Sequence, residues 1–258
     1  MTTRLWDRAA SVPMVAGERL PEVASLDPGD VTVAELFTFM RDAELRFATL
    51  RMRIDEHTYG GRGEQLVRMD VTLQHPALAR VVTSEPNGGA VTPSEVWISD
   101  GETVWTYATA HKLATKRPVR PRPRGLDDKS MPAWSRVYVE LTPLPMETLA
   151  ELFVHPAGYC QNVLATGDCW VSGTEVVEGR EAVLLECDHP RAVERFVDRP
   201  DYHVQLAVDR ETGVILRLAE SVRGELTRLA TVTMLDPDAR LQAGVFDLDL
   251  PEGTTVLY

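Results

Sequence analysis

Nowhere does this chain approach the ~18 consecutive apolar residues of a membrane helix. Its opening segment also lacks the apolar run of an export signal, because Arg4, Asp7 and Arg8 interrupt it early. Cysteine is scarce. Cys160, Cys169 and Cys187 form an odd set, and without an export signal they point to reduced thiols rather than a disulfide framework. A surplus of positive charge is missing too. With 27 Lys and Arg against 39 Asp and Glu, the net charge is −12. That excludes a general nucleic-acid binder, whose affinity comes from neutralising phosphates, and it excludes adsorption to an anionic membrane. These absences give the expectation of a cytoplasmic protein with no integral membrane segment and no nucleic-acid partner.

The usual signatures of catalysis are equally thin. No Gly-x-Ser-x-Gly elbow and no glycine-rich phosphate loop after a strand is present. Cys187-Asp188-His189 with Cys160 and Cys169 offers zinc-type ligands, but zinc sites use paired short spacings, and Cys160 and Cys169 are nine residues apart. Cys160 with His155 is a conceivable nucleophile pair, yet a capping or surface role suffices for His155. The acid pairs Asp127-Asp128 and Glu186/Asp188 give no sign of the contrasting environments that separate an acid from a base. The expectation is therefore no enzyme, no metal and no cofactor. A group of His57, His155 or His203 with an acid inside a cavity would reopen the enzyme reading.

What is present is a β-rich pattern. Residues 1–31 mix charge, Pro and Gly without a period and look like an irregular arm. A helix is predicted over 32–50, where Thr32 and Glu35 have capping-box spacing and Leu36, Phe37, Met40, Ala43, Phe47 and Leu50 recur on one stripe. It runs straight into "RMRIDEHTY", which alternates with strand period. Further strands follow in "EQLVRMDVTLQHP", "ALARVVTSE", "SEVWISDGETVWTY" and "HKLATKRP", and "METLAELF" is a short second helix. Hairpins marked by Glu178-Gly179 and Glu211-Thr212-Gly213 complete a meander of about ten or eleven strands, antiparallel because turns rather than helical crossovers join them. The class is α+β.

Asp100-Gly101 predicts a two-residue type I′ turn. Around it, Trp97 points opposite to Val96 and Ile98, while Trp105 and Tyr107 share a face. Both faces of this hairpin are apolar. That suits a sheet which packs a helix or encloses a cavity on one side and is covered by the arm or the loop on the other.

The helix feeding directly into a strand, the "SDGETVWTY" hairpin and the ending "FDLDLPEGTTV", with Phe246, Leu248, Pro251, Gly253 and Val256, together resemble the lipoprotein-carrier superfamily of LolA, LppX and RseB. The resemblance spans residues 32–258 as one domain. It implies a strongly curved, half-open antiparallel sheet, an unclosed barrel, with helices covering its concave face. It further implies carriage of a hydrophobic ligand, an acyl chain or lipid-like molecule, in an apolar cavity between sheet and helix. Phe37, Met40, Phe47, Trp97, Trp105 and Tyr107 are the candidate lining.

The loop 116–134 is rich in Arg and Pro, and from Lys112 to Arg124 six basic residues occur with no acidic one. Arg120, Arg122 and Arg124 alternate with Pro121 and Pro123, which favours an extended run of guanidinium groups. They are candidates for a ligand head-group or an acidic protein partner. The alternative readings are accordingly a regulatory interaction module of the RseB type and, from the scaffold alone, a biosynthetic enzyme.

Overall fold

The structure is a computed structural model that describes residues 20–27, 29, 31–61, 63–86, 93–119, 121–122, 132–135, 140–141, 143–145, 148–190 and 201–258. The first helix, α1, spans Val33–Arg41. The Thr32 hydroxyl accepts a hydrogen bond from the Glu35 amide at 3.2 Å, satisfying one of the free donors of the first turn. The helix is half as long as the apolar stripe suggests. It stops at Asp42, whose carboxylate accepts from Arg41 at 2.7 Å and from the Glu22 amide at 2.9 Å, tying the helix end to the preceding segment. Ala43–Arg46 forms a single 3-10 turn, so Phe47 and Leu50 are buried from extended chain and not from a helix.

Two meanders make the sheet. The first comprises β1 (Thr49–Gly60), β2 (Gly63–Gln74), β3 (Leu78–Ser84), β4 (Pro93–Asp100), β5 (Thr103–Ala108) and β6 (Leu113–Pro118). The second comprises β9 (Asp168–Val177), β10 (Arg180–Asp188), β11 (Tyr202–Asp209), β12 (Ile215–Val222) and β13 (Glu225–Pro237). They join where β1 pairs antiparallel with β13, and β14 (Thr255–Leu257) adds to β6 in parallel. Among the described residues the result is one unclosed 12-stranded sheet with β14 and β9 as its edges. A separate two-stranded ladder pairs β7 (Pro121–Arg122) with β8 (Glu140–Leu141). The strand count thus exceeds the ten or eleven expected, and the parallel β14 is an exception to the antiparallel rule.

Between the meanders lie α2 (Leu149–Val154) and α3 (Ala157–Asn162). The latter is a third helix, absent from the sequence reading. Asp100-Gly101 does not form the expected type I′ turn. Only Gly101 has positive φ, +93°, and the Asp100 carboxylate accepts from the amides of Glu102 (2.9 Å) and Thr103 (2.6 Å) to close a wider loop. Type I′ geometry occurs instead at Glu178-Gly179 and Arg223-Gly224, where both central residues have positive φ.

One face of the sheet, here the inner face, packs against the helices in a single large apolar cluster. A smaller cluster on the opposite face joins Val96, Ile98, Tyr107 and Ala114 to Leu248, Leu250 and Val256 of the C-terminal segment.

Candidate functional site

Strand alternation sorts the candidate residues between these two faces. Trp97 belongs to the inner cluster with Phe37, Met40 and Phe47. Its indole Nε1 donates to the Pro143 carbonyl at 2.7 Å, fastening the covering segment 143–145 to the sheet, and the Arg117 guanidinium lies 5.0 Å from its ring. Phe37 meets Trp134 edge-on at 5.6 Å, the Met40 sulfur is 3.8 Å from the Cys160 sulfur, and Phe47 packs on His75 at 5.2 Å. Trp105 and Tyr107 are a correction. They pair with Ile98 and Val96 across the ladder and so face away from the helices, under the C-terminal segment. They do not share a site with Phe37.

Trp105 is only partly buried there, with the Lys116 ammonium 4.9 Å from its ring. Trp105→Ala should therefore cost about 1–3 kcal/mol, less than a fully buried aromatic. Hydrogen exchange should increase across 246–257, with that of α1 unchanged. Faster exchange in α1 instead would contradict this placement.

Of the Arg/Pro candidates, Arg120 and Arg124 lie outside the described residues, and Arg122 is described only as a backbone partner of Glu140.

The sequence reading missed a second feature of the inner face. Directly opposite residues in a sheet share a face, so the register gives its rows. One row runs Val171, Leu185, Leu206, Leu218, Ala230, Glu56 across six strands. The next runs Cys169, Cys187, Val204, Glu220, Arg228, Thr58. Deeper rows are apolar, with Val232 beside Ile54 and Ile54 beside Met69. The inner wall therefore grades from apolar to polar toward one end.

At that end the Arg228 Nε donates to the Glu56 carboxylate at 2.6 Å, and Glu220 stands 3.7 Å from its Nη1. Burial works against the Arg228 charge, but the two carboxylates outweigh it and raise its pKa. Tyr159, from α3, lies within electrostatic reach of Tyr202, Glu220 and Arg228. Its hydroxyl is buried and makes no hydrogen bond among the described residues. Burial, aided by Tyr202 and Glu220, pushes its pKa well above the usual phenol value. An open pocket of about 380 Å³ at the β1–β2 hairpin tip includes Thr58 and Gln65, the continuation of the polar row.

Each of the three candidate histidines stands beside an acid. His203 accepts or donates to Asp188 and Glu186 through its two ring nitrogens, both at 2.7 Å. Those carboxylates alternate with inner-facing Leu185 and Cys187, so the triad lies on the outer face. Burial opposes its charge, but the hydrogen bonds to Asp188 and Glu186 prevail and raise its pKa. His155 stands 3.8 Å from Glu44 with its side chain 3% exposed, and its ring lies 5.4 Å from that of His75. Burial lowers the pKa of His75 to about 4, keeping it neutral. These rings are embedded in packing with Phe47. His57 pairs with Glu64 at 2.5 Å.

No family model and no curated protein matches the chain. Among solved structures it is similar to MucB at 18% identity and a TM-score of 0.49, with 86% of this chain aligned to 65% of that one. An uncharacterized conserved protein from Thermus thermophilus aligns at 11% identity and a TM-score of 0.47, over 86% of this chain and 96% of that one. The Mycobacterium tuberculosis lipoprotein LppX aligns at 12% identity and a TM-score of 0.38, over 76% and 92%. The expectation of a cytoplasmic protein is withdrawn, because the similar solved structures include a lipoprotein and an outer membrane lipoprotein-sorting domain from Vibrio parahaemolyticus. The likeness is one of fold: a LolA/LppX/MucB-like half-open sheet with helices against one face.

Proposed function

We propose that this protein binds, without transforming it, a hydrophobic molecule with an uncharged, hydroxyl-bearing polar end. The apolar part would lie along the inner wall beneath α1, against Phe37, Met40, Phe47 and Trp97. The polar end would meet Tyr159, Glu220 and Arg228. One observation carries this reading: a buried Tyr159 hydroxyl without a hydrogen-bond partner among the described residues, beside charged residues at the end of an otherwise apolar wall. Leaving such a hydroxyl unpaired costs about 1–3 kcal/mol, so its retention there favours a ligand role over a packing role.

The class of polar end follows from charge. Arg228 is balanced by Glu56, and Glu220 leaves the row with one surplus negative charge. A carboxylate head-group would be repelled there. A hydroxyl group can accept from Tyr159 and donate to Glu220. The cover over the wall is built of short pieces, with helices of 9, 6 and 6 residues, which suits opening for a ligand better than one long helix would.

The test is Tyr159→Phe, read two ways. Ligand-free protein should be unchanged or slightly more stable in urea, because an unpaired buried hydroxyl is removed. Affinity for a monoacylglycerol, followed by emission of the inner tryptophans, should fall by about tenfold, the worth of one buried hydrogen bond. A destabilised ligand-free protein with unchanged affinity would reject the reading. The rival, docking of an acidic protein through Arg120, Arg122 and Arg124, draws on a loop described only at 116–119, 121–122 and 132–134.

A further inference from the structure

Cys169 and Cys187 occupy directly opposed positions on the antiparallel strands β9 and β10. Opposed residues in such a pair have Cα atoms about 4.5–5.5 Å apart, inside the range a disulfide spans without moving the backbone. Their side chains converge as well. The two sulfurs are 2.8 Å apart, and both thiols point at the Leu164 carbonyl, at 3.1 Å from Cys169 and 3.5 Å from Cys187. The chain entering β9 is pressed onto the end of β10. A Cβ added at Gly167 would lie 2.5 Å from the Asp188 carbonyl oxygen and 2.8 Å from the Cys187 sulfur, so only glycine allows this approach. Cys160 takes no part: it is fully buried, with its sulfur against Met40.

We propose that Cys169 and Cys187 are a redox-active pair that closes to a disulfide by exchange with a small-molecule disulfide, stapling the edge strand β9 to β10. Cys169 is partly exposed and Cys187 is buried, which assigns the order of events. The Cys169 thiolate attacks one sulfur of the external disulfide, releasing one small thiol and leaving a mixed disulfide. The Cys187 thiol, losing its proton, then attacks the Cys169 sulfur and releases the second thiol. One external disulfide is reduced to two thiols, and two protein thiols are oxidised to one disulfide. The sulfur–sulfur contact with Cys187 lowers the Cys169 pKa, consistent with its role as first nucleophile, while the same contact and burial raise that of Cys187.

The staple has a mechanical meaning. Among the described residues β9 is held by pairing along one side only, with Trp170 42% exposed and Val176 69% exposed. A covalent link restricts the opening of this strand and constrains the unfolded chain between the two cysteines. The proposal does not depend on the ligand reading.

The native wild-type protein, incubated with excess oxidised glutathione and acid-quenched, tests it by intact mass and peptide mapping. The expected result is a loss of about 2 Da, a peptide linking Cys169 to Cys187, and Cys160 still a thiol. Dithiothreitol should restore the mass, and the oxidised form should melt about 5–10 °C higher. Cys187→Ser should instead trap glutathione on Cys169. No mass loss in the native protein, or a linkage through Cys160, overturns the proposal.

Discussion

Phe39→Ala is expected to lower the stability of the protein by about 3–5 kcal/mol, the usual loss for a fully buried aromatic truncated in a core. Phe39 is 0% exposed and projects from α1 into the inner cluster. The Arg46 guanidinium lies 3.7 Å from its ring centre, and its Nη1 donates to the Phe39 carbonyl at 2.8 Å. On another side the ring abuts the β11–β12 turn. A Cβ at Gly213 would fall 3.1 Å from a ring carbon, and Gly213 itself has φ +79°. A tight turn and a pinned guanidinium cannot collapse into the space left by the ring, which places the loss toward the upper end. Urea unfolding by circular dichroism checks it, and a loss below about 1 kcal/mol would show that Phe39 is not a packing centre.

Asp209→Ala is expected to cost a similar ~3–5 kcal/mol, for an electrostatic reason. The carboxylate is 1% exposed and accepts four hydrogen bonds: from Arg180 Nε (2.8 Å) and Nη2 (3.0 Å), and from the Thr212 amide (2.9 Å) and hydroxyl (2.5 Å). Alanine leaves the Thr212 amide buried without this acceptor and Arg180 with Glu211, an exposed partner. Asp209→Asn retains an oxygen for Thr212 and should lose roughly half as much. Equal losses for the two variants would mean that the charge on Asp209, and not its oxygens, dominates.

Much of this fold was legible because period and side chain agree. Alternation set Trp97 opposite Val96 and Ile98 and put Trp105 with Tyr107 on a shared face, but only the β4–β5 register separates the two sets, and the outer one is covered by the C-terminal segment and not by the arm or the Arg/Pro loop expected there. Thr32 also caps its helix as its spacing suggests. The helix end was misjudged because Phe47 and Leu50 continue the stripe by coincidence of burial, while Asp42 ends it through contacts with Glu22, distant in sequence. α3 was invisible because six residues after Pro156 are too few to show a period. Nothing local encodes the pairing of β1 with β13, which joins residues 170 or more positions apart.

The polar row carried a signal that went unread. Glu56 continues the phase of Met52 and Ile54, Glu220 that of Leu218, and Arg228 that of Ala230 and Val232. A charged residue in the apolar phase of three strands marks a buried polar site, but only the register shows that the three strands are neighbours.

Native mass spectrometry of the protein purified from its own host tests the ligand reading most directly. The expected result is a bound species of lipid-like mass that is released by organic solvent, carries a hydroxyl-bearing polar end, and is depleted in Tyr159→Phe. A ligand-free mass from the host, together with no uptake of monoacylglycerol by the purified wild-type protein, would contradict it.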